Sequence, residues 1–260
     1  MSKGKFAVQK LLFECGIEDP TKIPLELILA GRGATLIKKP LSNSEGRIVF
    51  GKYKSIITVN SDIKFSGKVR FVIAHELGHH EMHRELKLIH SDTDATLEYF
   101  KTGNQETEAN EFASELLMPE KIFINECKGK PFTPNLLREL AVKFDTSLTS
   151  VAYRYFELGK HPICLFYSYN NKIKYWKKHN DFPHFINDRK NLSPPDDSVA
   201  SEFFNKGIIY PINQSKQQIW KSTWFVLKSW ENDNDFNFYE FCIITKSYNT
   251  VLSIVWEELK

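Results

Sequence analysis

Phe71-Val72-Ile73-Ala74-His75-Glu76-Leu77-Gly78-His79 is the stretch on which the reading of this chain turns. An apolar run leads into His-Glu-x-x-His. On a helix, residues four apart share one face and lie about 6 Å apart along the axis, so both imidazoles can reach one metal ion. Glu76 follows the first histidine directly, which places its carboxylate beside the ion, ready to take a proton from water rather than to ligate. A purely structural histidine pair is the competing reading. It is the weaker one, because two imidazoles and a carboxylate on an apolar helix carry a high desolvation cost unless something collects them.

Two histidines leave a tetrahedral site short of one protein ligand and one open position. The candidate lies downstream, in Glu106-Thr107-Glu108-Ala109-Asn110-Glu111-Phe112-Ala113-Ser114-Glu115-Leu116-Leu117-Met118-Pro119. Ala109, Phe112, Ala113, Leu116 and Leu117 make a helical stripe that predicts packing on a core. Glu106 stands four residues before Asn110 on the same face, which offers a ligand and an amide able to orient a neighbouring group. Glu108 ranks second as a ligand. His80 is rotated off the ligand face. His83, eight residues beyond His75, lies about 12 Å further along the helix; packing is its stronger reading, a supporting or substrate-facing role its weaker one. His90, Asp92 and Asp94, in the connector, are candidates for positioning a ligand imidazole.

Phe71 to His79 and Glu106 to Pro119 together resemble the ImmA/IrrE family of bacterial metallopeptidases, whose pattern is a His-Glu-Leu-Gly-His helix followed by Glu-x-x-Ala-Asn-x-Phe-Ala-x-x-Leu-Leu-Met-Pro. The resemblance covers about residues 1 to 158, and the remainder matches only in outline. It implies a gluzincin-like zinc peptidase domain with His75, His79 and Glu106 as ligands and Glu76 as general base. It also implies helix-turn-helix repressors as substrates, cut to release stress-response or mobile-element genes, and a C-terminal GAF-like sensor domain. A His-x-x-x-His-x-x-x-His spacing like that of His75, His79 and His83 recurs in the family. A two-histidine, one-carboxylate set suits Zn2+ best and would accept Mn2+ or Fe2+.

The rest of the chain sets the frame. With 260 residues, 42% apolar, 13% aromatic and 26% charged, it has globular composition, which excludes collagenous, low-complexity and disulfide-scaffold classes. A net charge of +3 does not argue for nucleic acid or membrane as the default partner. Its apolar runs fall far short of the ~20 residues of a spanning helix, and Lys3, Lys5 and Lys10 break up any signal-like start. Scattered Cys15, Cys127, Cys164 and Cys242 read as reduced packing residues, which places the protein in the cytoplasm.

The expected fold class is α+β. A peptidase domain spans residues 1–128, a helix-turn-helix-like module 129–161 and a mixed α/β domain 162–260. Ser2 to Cys15 and Pro24 to Ala30 predict helices; Ala34 to Lys38, Gly46 to Phe50 and Ser55 to Val59 predict a small antiparallel sheet. Thr133 to Phe144 and Ser147 to Leu158 predict two amphipathic helices with Thr133 and Ser147 as N-caps. Arg138, Lys143 and Arg154 give that pair some positive charge, but Glu139, Asp145 and Glu157 offset it, so a packing or docking module is favoured over a DNA reader. Ile163 to Tyr169, Ile173 to Trp176, Phe238 to Thr245 and Val251 to Trp256 predict strands around asparagine-bearing turns. Trp220, Trp224, Trp230 and Trp256 are expected to fill that domain's core rather than line a pocket.

Three functions compete: a metallo-endopeptidase that cuts a partner regulator, a DNA-binding regulator with a structural metal, and a regulator that binds a partner without cutting it. Glu76 favours the first, because a structural site has no use for a base beside an open position.

Overall fold

The computed structural model describes residues 1–42, 44–51, 53–88 and 103–258. His90, Asp92 and Asp94 lie outside them. Among the described residues the chain is α+β, with nine α-helices and two sheets. It divides into two compact units, one made of Met1–Glu126 with Leu140–Ser150 and the other of Cys127–Glu139 with Val151–Lys260. No helix is long and apolar enough to cross a membrane among the described residues.

The first unit opens with α1 (Lys3–Cys15), capped by the Ser2 side chain and stopped at Gly16, whose φ of 64° lies in the left-handed region that favours glycine. After α2 (Leu25–Gly31) come three short strands, β1 (Ala34–Lys39), β2 (Gly46–Phe50) and β3 (Ser55–Asn60). They occupy the expected positions, but the sheet is mixed rather than antiparallel: its order is β1-β3-β2, with β3 antiparallel to β2 and parallel to β1. The chain reverses direction twice between β1 and β3, so a β3 that inserts beside β1 must run parallel to it. Burial explains why β3 is central, since Ile57 and Val59 are fully buried and Thr58 nearly so, a run too apolar for an edge. Two helices follow, α3 (Ser66–Leu88) and α4 (Gly103–Leu117), and Pro119 gives way to α5 (Glu120–Cys127), a helix the apolar pattern did not announce.

Between residues 134 and 158 lie α6 (Pro134–Lys143) and α7 (Leu148–Leu158). Thr133 Oγ1 accepts from Leu136 N and Ser147 Oγ from Ser150 N, the caps read from the sequence. Each of these helices contributes residues to both units.

In the second unit, β4 (Cys164–Tyr169), β5 (Lys172–Lys178), β6 (Gln217–Ile219), β7 (Phe238–Thr245) and β8 (Thr250–Glu257) form an antiparallel sheet ordered β5-β4-β8-β7-β6. Asn170 and Asn171 both take positive φ, 48° and 58°, as a tight hairpin between β4 and β5 requires. The core packs Phe166, Phe182, Phe225 and Phe238 around Trp224, together with residues of α8 (Val199–Lys206). Phe132 meets Trp256 edge-on, with ring centroids 4.9 Å apart, and packs at 4.8 Å on Tyr155. The tryptophans divide: Trp224 and Trp256 are fully buried, whereas Trp220 and Trp230 are exposed, so only half of the expected aromatic core is core. Cys15 is likewise exposed, not packed.

Candidate metal centre

The long helix α3 lays His75, Glu76, His79 and His83 along the side that faces α4 and the small sheet. Its register is fixed by Val72, Ile73, Ala74 and Leu77, all buried. Two glycines let neighbours come close. At Gly78 a Cβ would sit 3.1 Å from the Phe112 ring, so glycine permits α4 to nest against the motif. At Gly46, the first residue of β2, a Cβ would lie 2.9 Å from Glu76 Oε1 and 2.5 Å from Val72, so the Glu76 carboxylate rests against bare backbone. Glu76 itself is buried.

From α4, the buried stripe Ala109, Phe112, Ala113, Leu116 and Leu117 anchors the helix, and one turn earlier Glu106 arrives over the histidines. Glu106 Oε2 is 3.3 Å from His75 Nε2, Glu106 Oε1 is 3.2 Å from His79 Nε2, and the two Nε2 atoms are 3.1 Å apart. The three ligating groups lie within 4.8 Å of one another and could hold a metal ion. A tetrahedron with metal–ligand bonds of about 2.0–2.1 Å has edges of about 3.3–3.4 Å, so the triangle has the right size.

The chemistry of the donor set agrees. His75 Nδ1 lies 2.9 Å from Asn110 Oδ1, an acceptor, so the proton of a neutral His75 belongs on Nδ1 and its Nε2 presents a lone pair. His79 Nδ1 lies 2.9 Å from His83 Nδ1, and His83 Nε2 lies 2.8 Å from Glu108 Oε2. Because Glu108 can only accept when ionised, His83 donates through Nε2–H and accepts on Nδ1, which in turn puts the His79 proton on Nδ1. Both Nε2 atoms and a carboxylate therefore converge lone pairs on one point, an arrangement that a cation relieves.

The described residues singled out from the sequence can now be placed. His75, His79 and Glu106 come together, Glu76 follows His75 in the helix and is buried against Gly46, and Asn110 holds His75. Glu108 does not join the triangle; it binds His83 and Lys3. His83 is fully buried, and its partners give it more than a packing part. Burial pushes the Glu108 carboxyl up, but the hydrogen bonds and charges of Lys3 and His83 outweigh this and hold it below its ordinary value. His80 is an anchor: Nε2 donates to the Arg32 carbonyl at 2.9 Å and Nδ1 accepts from Ser55 at 3.0 Å, and burial pushes its pKa down. Gly46 and Lys3 escaped the sequence reading. A glycine opening a strand was the one visible signal for the first, and nothing in the sequence marked the second.

An α+β protein with a His-His-Glu centre and an adjacent glutamate is thus defined by geometry. Residues 30–156 match the family model of the IrrE N-terminal-like domain, Peptidase_M78. That match, over just under half of the chain, supports placing this domain in the ImmA/IrrE family. Among solved structures, a Mycobacterium tuberculosis transcriptional regulator is similar in fold, with a TM-score of 0.62 at 13% identity, over 99% of this chain and 77% of that one. No curated protein matches the sequence.

Proposed function

We propose that this protein is a zinc-dependent endopeptidase whose substrate is a helix-turn-helix transcriptional repressor, cut to derepress stress-response or mobile-element genes in the cytoplasm. The observation that carries the reading is the convergence of His75 Nε2, His79 Nε2 and Glu106 on one point, with Glu76 buried beside it. On this reading the catalytic unit is gluzincin-like and the five-stranded domain after residue 162 is a GAF-like sensor or selection domain. When bound, the zinc supplies Lewis acidity, polarising the scissile carbonyl and the attacking water. Glu76 accepts the proton of that water and returns it to the leaving amine. Gly46 leaves room for the Glu76 carboxylate. Asn110 and His83 hold the two imidazoles in the tautomers that ligation needs.

The competing reading, a DNA-binding regulator, needs cations presented to phosphates. The three cations of the helix pair are all engaged within the protein. The Arg154 side chain is 1% exposed and 3.4 Å from Glu157, Lys143 pairs with Glu126 at 3.4 Å, and Arg138 lies over Phe241 and donates to Ser215. The third reading, a regulator that binds its partner without cutting, gives the Glu76 carboxylate no task. Incubating the zinc-loaded protein with a helix-turn-helix regulator encoded beside it tests the proposal. Cleavage at one bond, abolished by a chelator and restored by zinc, is expected; an intact regulator across a panel of such neighbours, with metal in the site, would count against it.

A further inference from the structure

The chain of contacts behind His79 does not stop at His83. Glu108 Oε2, which takes the His83 proton, also lies 2.8 Å from Lys3 Nζ, and Lys3 belongs to α1, a helix that precedes the residues matched by the family model. The approach of α1 to α4 at this point is built for contact. A Cβ on Gly4 would sit 2.6 Å from the Glu108 carbonyl oxygen, 2.7 Å from Glu111 Cβ and 2.8 Å from Phe112 N, so α1 meets α4 backbone to backbone immediately beside Lys3. A second ion pair, Lys5 to Glu120 at 2.6 Å, fastens the same face of α1.

We infer that α1 is a positioning element for the metal centre: Lys3 fixes Glu108, Glu108 fixes His83, and His83 fixes the ring and tautomer of His79. The inference rests on the metal-site reading above. The physical basis is directional. His79 can present its Nε2 lone pair to a metal only while its Nδ1–H has an acceptor. That acceptor, His83 Nδ1, is available only while His83 carries its proton on Nε2, and this in turn needs an ionised carboxylate held at 2.8 Å. A Glu108 side chain released by Lys3 and left partly exposed would spend time away from His83. Orienting partners of this kind affect metal affinity by about 10- to 100-fold when removed. Lys3 acts one step further out through a solvent-screened pair, so its removal is expected to weaken zinc binding by about two- to fivefold.

The test is zinc affinity, read by competition with a calibrated chelator on the full chain, together with ring-nitrogen NMR of the zinc-loaded protein. Glu108→Leu is expected to bind zinc about 10- to 100-fold more weakly, and to change the protonation pattern of the His83 ring while its unfolding temperature in apo form stays within a few degrees. Lys3→Met should show the smaller loss and Lys3→Arg should recover it. Lys3 is half exposed, so these two variants remain informative if Glu108→Leu fails to fold. Glu108→Leu with wild-type zinc affinity overturns the whole chain. A loss at Glu108 with none at Lys3 overturns the part assigned to α1. If the wild-type protein takes up no zinc, the metal-site reading itself fails, and the result is distinct from either.

Discussion

Glu106 in the first unit and Glu240 in the second are both carboxylates drawn into clusters of polar groups, and they are built in opposite ways. Glu240, on β7, is wholly buried, and what surrounds it donates: Val199 N at 2.9 Å, Ala200 N at 3.3 Å, Trp224 Nε1 at 3.2 Å and the Cys242 thiol at 3.3 Å. The cluster is complete in itself and ties the start of α8 to the sheet. Glu106 is 35% exposed and aims both oxygens at imidazole nitrogens whose opposite nitrogens are already committed to Asn110 and His83. There the groups that meet are all lone-pair donors. The contrast teaches how to separate architecture from a site: a polar cluster whose donors and acceptors match needs nothing further, while one made of converging acceptors calls for a cation.

The largest effect expected from this contrast is at the base. Glu76→Gln keeps the shape but cannot take the proton, so repressor cleavage should fall by about 10²- to 10⁴-fold while zinc content stays normal. Turnover within a few-fold of wild type would remove Glu76 from the chemistry. In the second unit the corresponding substitution acts on stability alone. Glu240→Ala leaves at least four donors buried without an acceptor and should cost about 3 kcal/mol or more, seen as a lowered denaturant midpoint, with zinc affinity unaltered. A variant that is as stable as the parent would show that the cluster is not architectural.

A smaller effect concerns pH. Burial raises the Glu240 pKa above its ordinary value, more than its hydrogen bonds lower it. A carboxyl with a raised folded-state pKa contributes stability that is fully present below its unfolded pKa and lost as pH rises toward the folded one. Unfolding midpoints of the apo protein should therefore include a component that declines as pH climbs out of the ordinary carboxylate range, and Glu240→Gln, which cannot ionise, should lack it. An identical pH profile in both proteins would contradict the assignment. Smallest of all, Trp230→Ala should change stability by no more than about 0.5 kcal/mol, because the ring is exposed. Trp224→Ala, by contrast, should cost about 3–5 kcal/mol.

The sequence revealed the centre better than the fold around it, and the reason is physical. His75 and His79 are tied together by helix periodicity and by a residue type that few other tasks require, and Glu106 was marked by its place in the second block of the family pattern. The α4 stripe was legible for the same reason: apolar residues at i, i+3 and i+4 have few alternatives to a packed helix face. Strand positions showed through alternation, but their pairing did not, because whether β1 lies beside β2 or β3 depends on which strand is buried on both faces. Trp220 and Trp224 differ by four residues and by half their surface, 52% against 0% exposed, and no local pattern separates them. Lys3 was invisible because its meaning comes from a contact with a residue 105 positions away. A chain truncated after Gly159 is a poor probe of the second unit, since it would strip Phe132 of the Trp256 ring it packs against. Point substitutions such as those above leave that packing in place.

The central claim is that His75, His79 and Glu106 together hold one metal ion, and zinc stoichiometry with ligand-resolved X-ray absorption tests it most directly. The expected result is one zinc per chain with two imidazole nitrogens and a carboxylate oxygen at about 2.0–2.1 Å, no sulfur ligand, and loss of the ion in Glu106→Ala and His79→Ala but not in Glu76→Gln. Zinc retained at full stoichiometry and unchanged affinity in Glu106→Ala, or a spectrum dominated by cysteine sulfur, would contradict it.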